Sequence, residues 1–330
     1  MQNGDRPGKT GSTAAERPPI GLALGAGVGR GWAHIGVIKA LLERGIVPDV
    51  VSGTSIGALV GGAYLGDRLD VLEDWARSLT RMRMLGYLDF KMRKSGLIGG
   101  GRLLALMRQH LGGIDIEDLP QPFIAIACDM VNGHEVWLRH GSLVDAVRAS
   151  FSLPGIFPPV AFQGRWLVDG ALVNPVPVNA LARMGAQMTI GVNLNHDLLG
   201  RILPPGENVP RAAGFDILTM EEDIEAVREA KRNSLTKILF QRKPQSPSLF
   251  GTMVAAFNIA QDRLSRSRLA GEPPDVHITP RIGHIGPLEF DRADELIAEG
   301  RAAVERALPD LQAALTVLNL NSAPRMPPGA

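Results

Sequence analysis

Four glycines stand within seven residues at Gly25-Ala26-Gly27-Val28-Gly29-Arg30-Gly31, and their flanks restrict what this chain can fold into. Before them runs Ile20-Gly21-Leu22-Ala23-Leu24, a short apolar run that reads as a buried strand. After them, 32–44 carries apolar residues at Ala33, Val37, Ala40 and Leu41 and ends at Gly45, a helix with a glycine just past its last turn. The unit then repeats. Asp49-Val50-Val51 reads as a second strand and 56–65 as a small-residue, buried helix. Strand, glycine turn, helix, strand, turn, helix is the order of an α/β fold with a mostly parallel central sheet, because parallel strands need crossover helices between them.

Farther along, 67–112 reads as helical with a break at Gly99-Gly100-Gly101, and strand-like runs follow at 122–128, 134–139 and 159–168. A short helix is expected at 177–184, a strand at 188–194, and helical segments over 215–269, interrupted at 244–248. A last strand at 275–279 and a last helix at 291–307 close the pattern. With no internal repeat and no linker-like stretch, the expectation is one domain over 19–310, its motif-bearing core at about 20–195, with helical additions. The polar segment 1–18 is expected to be a disordered arm and 321–330 a loose tail.

Composition narrows function by exclusion. Lys and Arg number 35 against 34 Asp and Glu, so the chain has no electrostatic footprint for nucleic acid. The one cysteine, Cys128, lies in the apolar run Phe123-Ile124-Ala125-Ile126-Ala127-Cys128, which makes it a core residue rather than part of a disulfide framework. The arm has no apolar signal region and no stretch is long enough to span a bilayer, so cytoplasmic residence is expected. No pair among the seven histidines has zinc-helix spacing, and neither a metal nor a cofactor is expected.

Chemistry enters at Gly53-Thr54-Ser55-Ile56-Gly57, a G-x-S-x-G between a strand and a helix. A turn that sharp thrusts a serine into an exposed, strained position, and small residues two away on either side prevent clashes. The bare pattern is common, and its placement carries the argument. The glycine loop at 25–31 admits two uses. A dinucleotide fingerprint would put its third glycine where Arg30 stands, and no Lys-Ser/Thr follows to make a P-loop. An oxyanion hole needs only backbone N–H groups unobstructed by side chains, with Arg30 as a nearby cation. In Trp166-Leu167-Val168-Asp169-Gly170-Ala171, an acid ends an apolar strand. Alone, Asp-Gly is a turn; beside a candidate serine and oxyanion loop, Asp169 could be the general base.

These three blocks, in this order, resemble the patatin-like phospholipase family, as do 150–159 and Asn174-Pro175-Val176-Pro177. The resemblance covers about 20–195 closely and the C-terminal third more loosely. It implies a three-layer α/β/α fold and a Ser–Asp dyad acting on lipid acyl esters, with Ser55 as nucleophile and Asp169 as proton acceptor. It also implies an oxyanion hole from the N–H groups around Gly27 and Val28. Many members have glycine where this chain has Ala26 and Val28, and a β-branched valine resists positive φ. A triad completed by His277 or His284 is the competing arrangement, and the block match favours the dyad. Two stretches suit a lipid surface: 81–94, which mixes basic residues with Met and aromatics, and 249–259, apolar enough to cover a core or line an acyl pocket.

Overall fold

The computed structural model describes residues 18–80, 83, 101–197 and 249–322. The arm at 1–17, the tail from 323, nearly all of 81–94 and the expected helical stretch up to 248 lie outside them.

Four strands, β1 (Ile20–Leu24), β2 (Val50–Thr54), β3 (Phe123–Asp129) and β7 (Met188–Val192), are buried at every residue. Helices covering both faces of the sheet leave these strands no side open to water. β1 pairs in parallel with β2 and β7, β2 with β3, and β7 with the short β8 (Val276–Ile278). Helices α1 (Ala33–Glu43), α2 (Ile56–Leu65) and α8 (Ala293–Ser322) share one large core with β1 and β3. The other face packs Ala23 and Val50 against Val178 and Leu181 of α6 (Val178–Arg183), with Leu269 of α7 (Leu249–Gly271) beside them. The result is three layers, α/β/α, as the sequence suggested. Helices α3 (Leu69–Ser78) and α4 (Gly101–Leu111) flank α2. No helix among the described residues is long and apolar enough to cross a membrane.

The feature that builds the site is an edge of β3 shared by two strands. Val51–Thr54 of β2 pairs with Phe123–Ile126, and β4 (Glu135–Leu138) pairs antiparallel with Ala125–Cys128. Since Ala125 and Ile126 pair with both, β4 and β2 occupy opposite edges. β6 (Arg165–Asp169) pairs antiparallel with Ala127–Asp129, overlapping β4 at Ala127 and Cys128, so β6 takes the edge that β2 vacates. The ends of β2 and β6 therefore abut: Thr54 lies opposite Ile126 and Asp169 opposite the next residue, Ala127.

Three elements differ from the sequence reading. The run 159–168 is a hairpin, β5 (Val160–Phe162) and β6, turning at Gln163 and Gly164, both at positive φ (47° and 78°). Two such residues make the tight turn that matches strand twist. Helix α5 (Leu143–Ser150), capped by the Ser142 hydroxyl, had no counterpart in the reading. Helix α8 runs through Pro309 to Ser322 rather than stopping near 307. An interior proline costs about 3 kcal/mol. Buried Leu311 and Leu318 offset an amount of that order, about 1.5–3 kcal/mol each.

Candidate active site

Ser55 sits between β2 and α2 at φ 57°, ψ −121°, a region that costs a non-glycine residue about 1–3 kcal/mol. The flanking glycines are steric necessities. A Cβ at Gly53 would lie 2.6 Å from the Ala58 backbone, and one at Gly57 would lie 2.1 Å from the Leu24 carbonyl oxygen. The strained turn is held from outside by Ser150, whose hydroxyl accepts from the Ser55 N–H (2.9 Å) and donates to the Ile126 carbonyl (2.6 Å). Thr54 donates its hydroxyl to the Asn174 carbonyl at 2.8 Å, tying the end of β2 to the turn after β6.

Across the junction of the two strands, the Ser55 hydroxyl donates to Oδ2 of Asp169 at 2.7 Å. Both groups are buried, Ser55 at 6% exposure and Asp169 at 2%. The other carboxylate oxygen accepts from the Ala171 N–H at 2.8 Å. Burial raises the Asp169 carboxyl to about 7, against the lowering effect of those two bonds. A carboxylate of that basicity is matched to taking a proton near neutral pH. Gly170 follows because a Cβ there would meet the Ile126 carbonyl oxygen at 2.2 Å. The turn is pinned from α7, where Arg268 donates to the Val173 carbonyl (2.9 Å) and to Glu135 (3.1 Å), and Glu135 accepts from Asn174.

The glycine loop lies beside this pair, and most of its N–H groups are already engaged. Gly25 donates to Val192, Ala26 to Pro175, Gly29 to Pro287 and Arg30 to Gly27. Gly31 lies inside the 3-10 turn Val28–Trp32, and among the described residues the N–H groups of Gly27 and Val28, at the start of that turn, have no such bond, which leaves these two as the candidate donors. Val28 does adopt positive φ, at 53°, despite its branched side chain. His34 braces the loop. Its Nε2 lies 2.7 Å from the Gly25 carbonyl, which can only accept, so the proton is on Nε2. Burial pushes the imidazole down to about 4 and keeps it neutral.

Arg30, expected as a cation near the oxyanion, lies against the loop itself. Its side chain is fully buried and turns back to the Gly27 carbonyl (3.4 Å), Asn195 (3.5 Å) and Asn258 of α7 (3.4 Å). Burial lowers it to about 10 and Asp197 partly opposes that, so it remains charged. It braces the loop and joins it to α7. Neither histidine of the alternative triad reaches the pair. His277 stands on β8, beyond β1 and β7 as seen from β2, with its ring against His196, while His284 bonds Glu295 at 2.6 Å on the surface. Of the apolar stretch 249–259, Val254 is buried and Met253 lies against Gly155, while Ile259 is half exposed.

The chain is thus a mixed α/β protein that brings a strained serine and a buried carboxylate together at the carboxyl edge of a mostly parallel sheet. The model of the patatin-like phospholipases matches residues 22–182, which contain all three motifs, and the chain belongs to that family. An uncharacterized NTE family protein of Mycobacterium tuberculosis is 34% identical over 329 residues, spanning 88% of this chain and 91% of its own. Lysophospholipase nte1 of Emericella nidulans is 30% identical over 289 residues, 86% of this chain but 18% of that longer protein. Human GIVD cytosolic phospholipase A2 is a loose structural neighbour, at TM-score 0.40 and 13% identity over 92% of this chain and 60% of that one.

Proposed function

We propose that this chain hydrolyses acyl esters of lipids by a Ser55–Asp169 dyad through an acyl-enzyme. The observation that carries the reading is the 2.7 Å bond from a conformationally strained serine hydroxyl to a carboxylate whose burial makes it basic. Ser55 Oγ attacks the acyl carbonyl while its proton passes to Asp169 Oδ2. The negative charge that develops on the carbonyl oxygen faces the Gly27 and Val28 N–H groups. Asp169 then protonates the departing alcohol, and water, deprotonated by the same carboxylate, releases the acid. Family membership and the relative named a lysophospholipase support a lipid ester as substrate.

A nucleotide-binding role for the glycine loop is disfavoured, because Gly25, Ala26, Gly29 and Arg30 spend their N–H groups inside the protein. An idle protein on this fold would have no need of a strained serine. A fluorophosphonate should label Ser55 in the wild type and leave Ser55→Ala unlabelled. Ser55→Ala and Asp169→Asn should each lower kcat on a soluble ester by about three orders of magnitude, and the double variant should be little worse, because the pair acts as a unit. His277→Ala and His284→Ala should change kcat less than about tenfold. A folded histidine variant as inactive as Ser55→Ala would replace the dyad with a triad.

A further inference from the structure

We propose that two hairpin tips, 130–133 between β3 and β4 and 163–166 at the start of β6, form the surface by which this protein docks on a phospholipid bilayer. The proposal rests on the lipid-ester reading above, since a bilayer is where such a substrate resides. β3 continues past the end of β2 on the side where Ser55 emerges, and β6 begins farther out still, with Leu167 opposite Asp129. At about 3.3 Å per residue, Trp166 stands about 10 Å beyond Asp169 on the same edge of the sheet. The two tips are joined there by a bond from the Met130 N–H to the Trp166 carbonyl at 2.8 Å.

The tips gather exposed apolar side chains in one place. Val131 is 81% exposed, Met130 53% and Trp166 51%. The polar groups beneath them are turned inward. Asp129 accepts from the Val131 N–H (2.9 Å), from the Asn132 amide (3.2 Å) and from Arg165 (3.2 Å). In the Asp129–Arg165 pair the acid side chain is 6% exposed and the arginine side chain 55%, so the exposed partner is the cation. Aliphatic side chains at the tip, an indole beside them and an exposed arginine complement a layer of acyl chains under phosphates. The turn at Gln163 and Gly164 is a fixed two-residue hairpin, so the surface exists before any lipid is met.

The test measures sedimentation with vesicles of phosphatidylcholine and phosphatidylglycerol, using Ser55→Ala protein so that the bilayer stays intact. Val131→Asp and Trp166→Ser, each with a wild-type circular-dichroism spectrum, should reduce partitioning about tenfold or more. Val131 is so exposed that its replacement has little to disturb in the fold. The same two variants carrying Ser55 should hydrolyse a monomeric short-chain ester within about twofold of wild type, and vesicular substrate far more slowly. Unchanged partitioning of both variants overturns the proposal. So does a dimer of the unmutated chain that Val131→Asp dissociates, since the tips would then meet a second copy of the chain. Soluble-ester hydrolysis with mutation-insensitive vesicle binding overturns docking alone. Mutation-sensitive binding in a chain that hydrolyses no ester supports docking and overturns the hydrolase reading.

Discussion

Replacing Asp169 by asparagine should stabilise the protein at neutral and alkaline pH while abolishing its proposed chemistry. The carboxyl group is raised from 3.8 to about 7 by burial. Below the unfolded value it is protonated in both states and contributes nothing to pH dependence. Between the two values the unfolded chain has released the proton and the folded chain still holds it, so stability falls by about 1.4 kcal/mol per pH unit. Above the folded value the loss levels off, at a total of about 4 kcal/mol for a shift of about three units. The substituted amide has no proton to lose, and its oxygen can still accept from the Ala171 N–H. Urea unfolding of both proteins at about pH 4 and about pH 8 should therefore show Asp169→Asn gaining about 2–4 kcal/mol over wild type between the two conditions. If the difference between them stays constant with pH, the carboxyl is not titrating as its burial requires. Activity runs the other way, because the base must be ionised. In wild type kcat/KM should rise with pH through an apparent pKa of about 7, where stability has already declined.

Two other predictions concern the support of the turn. Ser150→Ala leaves the Ser55 N–H and the Ile126 carbonyl without their shared partner, and should lower stability by about 1–3 kcal/mol and kcat more than KM is raised, read from denaturant melts and soluble-ester kinetics. Gly57→Ala forces a Cβ to 2.1 Å from the Leu24 carbonyl oxygen, and should lower the melting temperature by at least about 4 °C, with Gly271→Ala, where space is open, as the control for loss of a glycine.

What the sequence reveals of the site is what steric necessity leaves in it. Gly53, Gly57 and Gly170 each exclude a Cβ from neighbouring backbone, and such positions can be read without knowing what they approach. The alternation of apolar runs with helical periods made the parallel sheet legible for the same local reason. Partners that are distant in sequence leave no such trace. Arg30 finds Asn195 and Asn258 at separations of 165 and 228 residues, so its inward turn could not be inferred from the loop that carries it. Ser150 looks like any helix-end serine until β3 and the serine turn are both in place. Val28 shows the opposite failure: its intrinsic preference argues against positive φ, and the loop imposes it, with Gly29 bonded to the Pro287 carbonyl and Arg30 to Gly27. The last helix runs past its expected end at 307 and through Pro309, and burial of Leu311 and Leu318 beyond the proline holds it.

The abutting of β2 and β6 along one edge of β3 also sets an order of events. Ser55 belongs to the early strand–helix alternation, whereas Asp169 arrives 114 residues later on a hairpin that can dock only where β3 already runs on past β2. Under the proposed dyad, a chain emerging from the ribosome has its serine long before its base, and until then that serine is chemically no more reactive than any other alcohol. The pair comes into being only when a late strand docks on an earlier one, so on that reading a half-made chain is a harmless one.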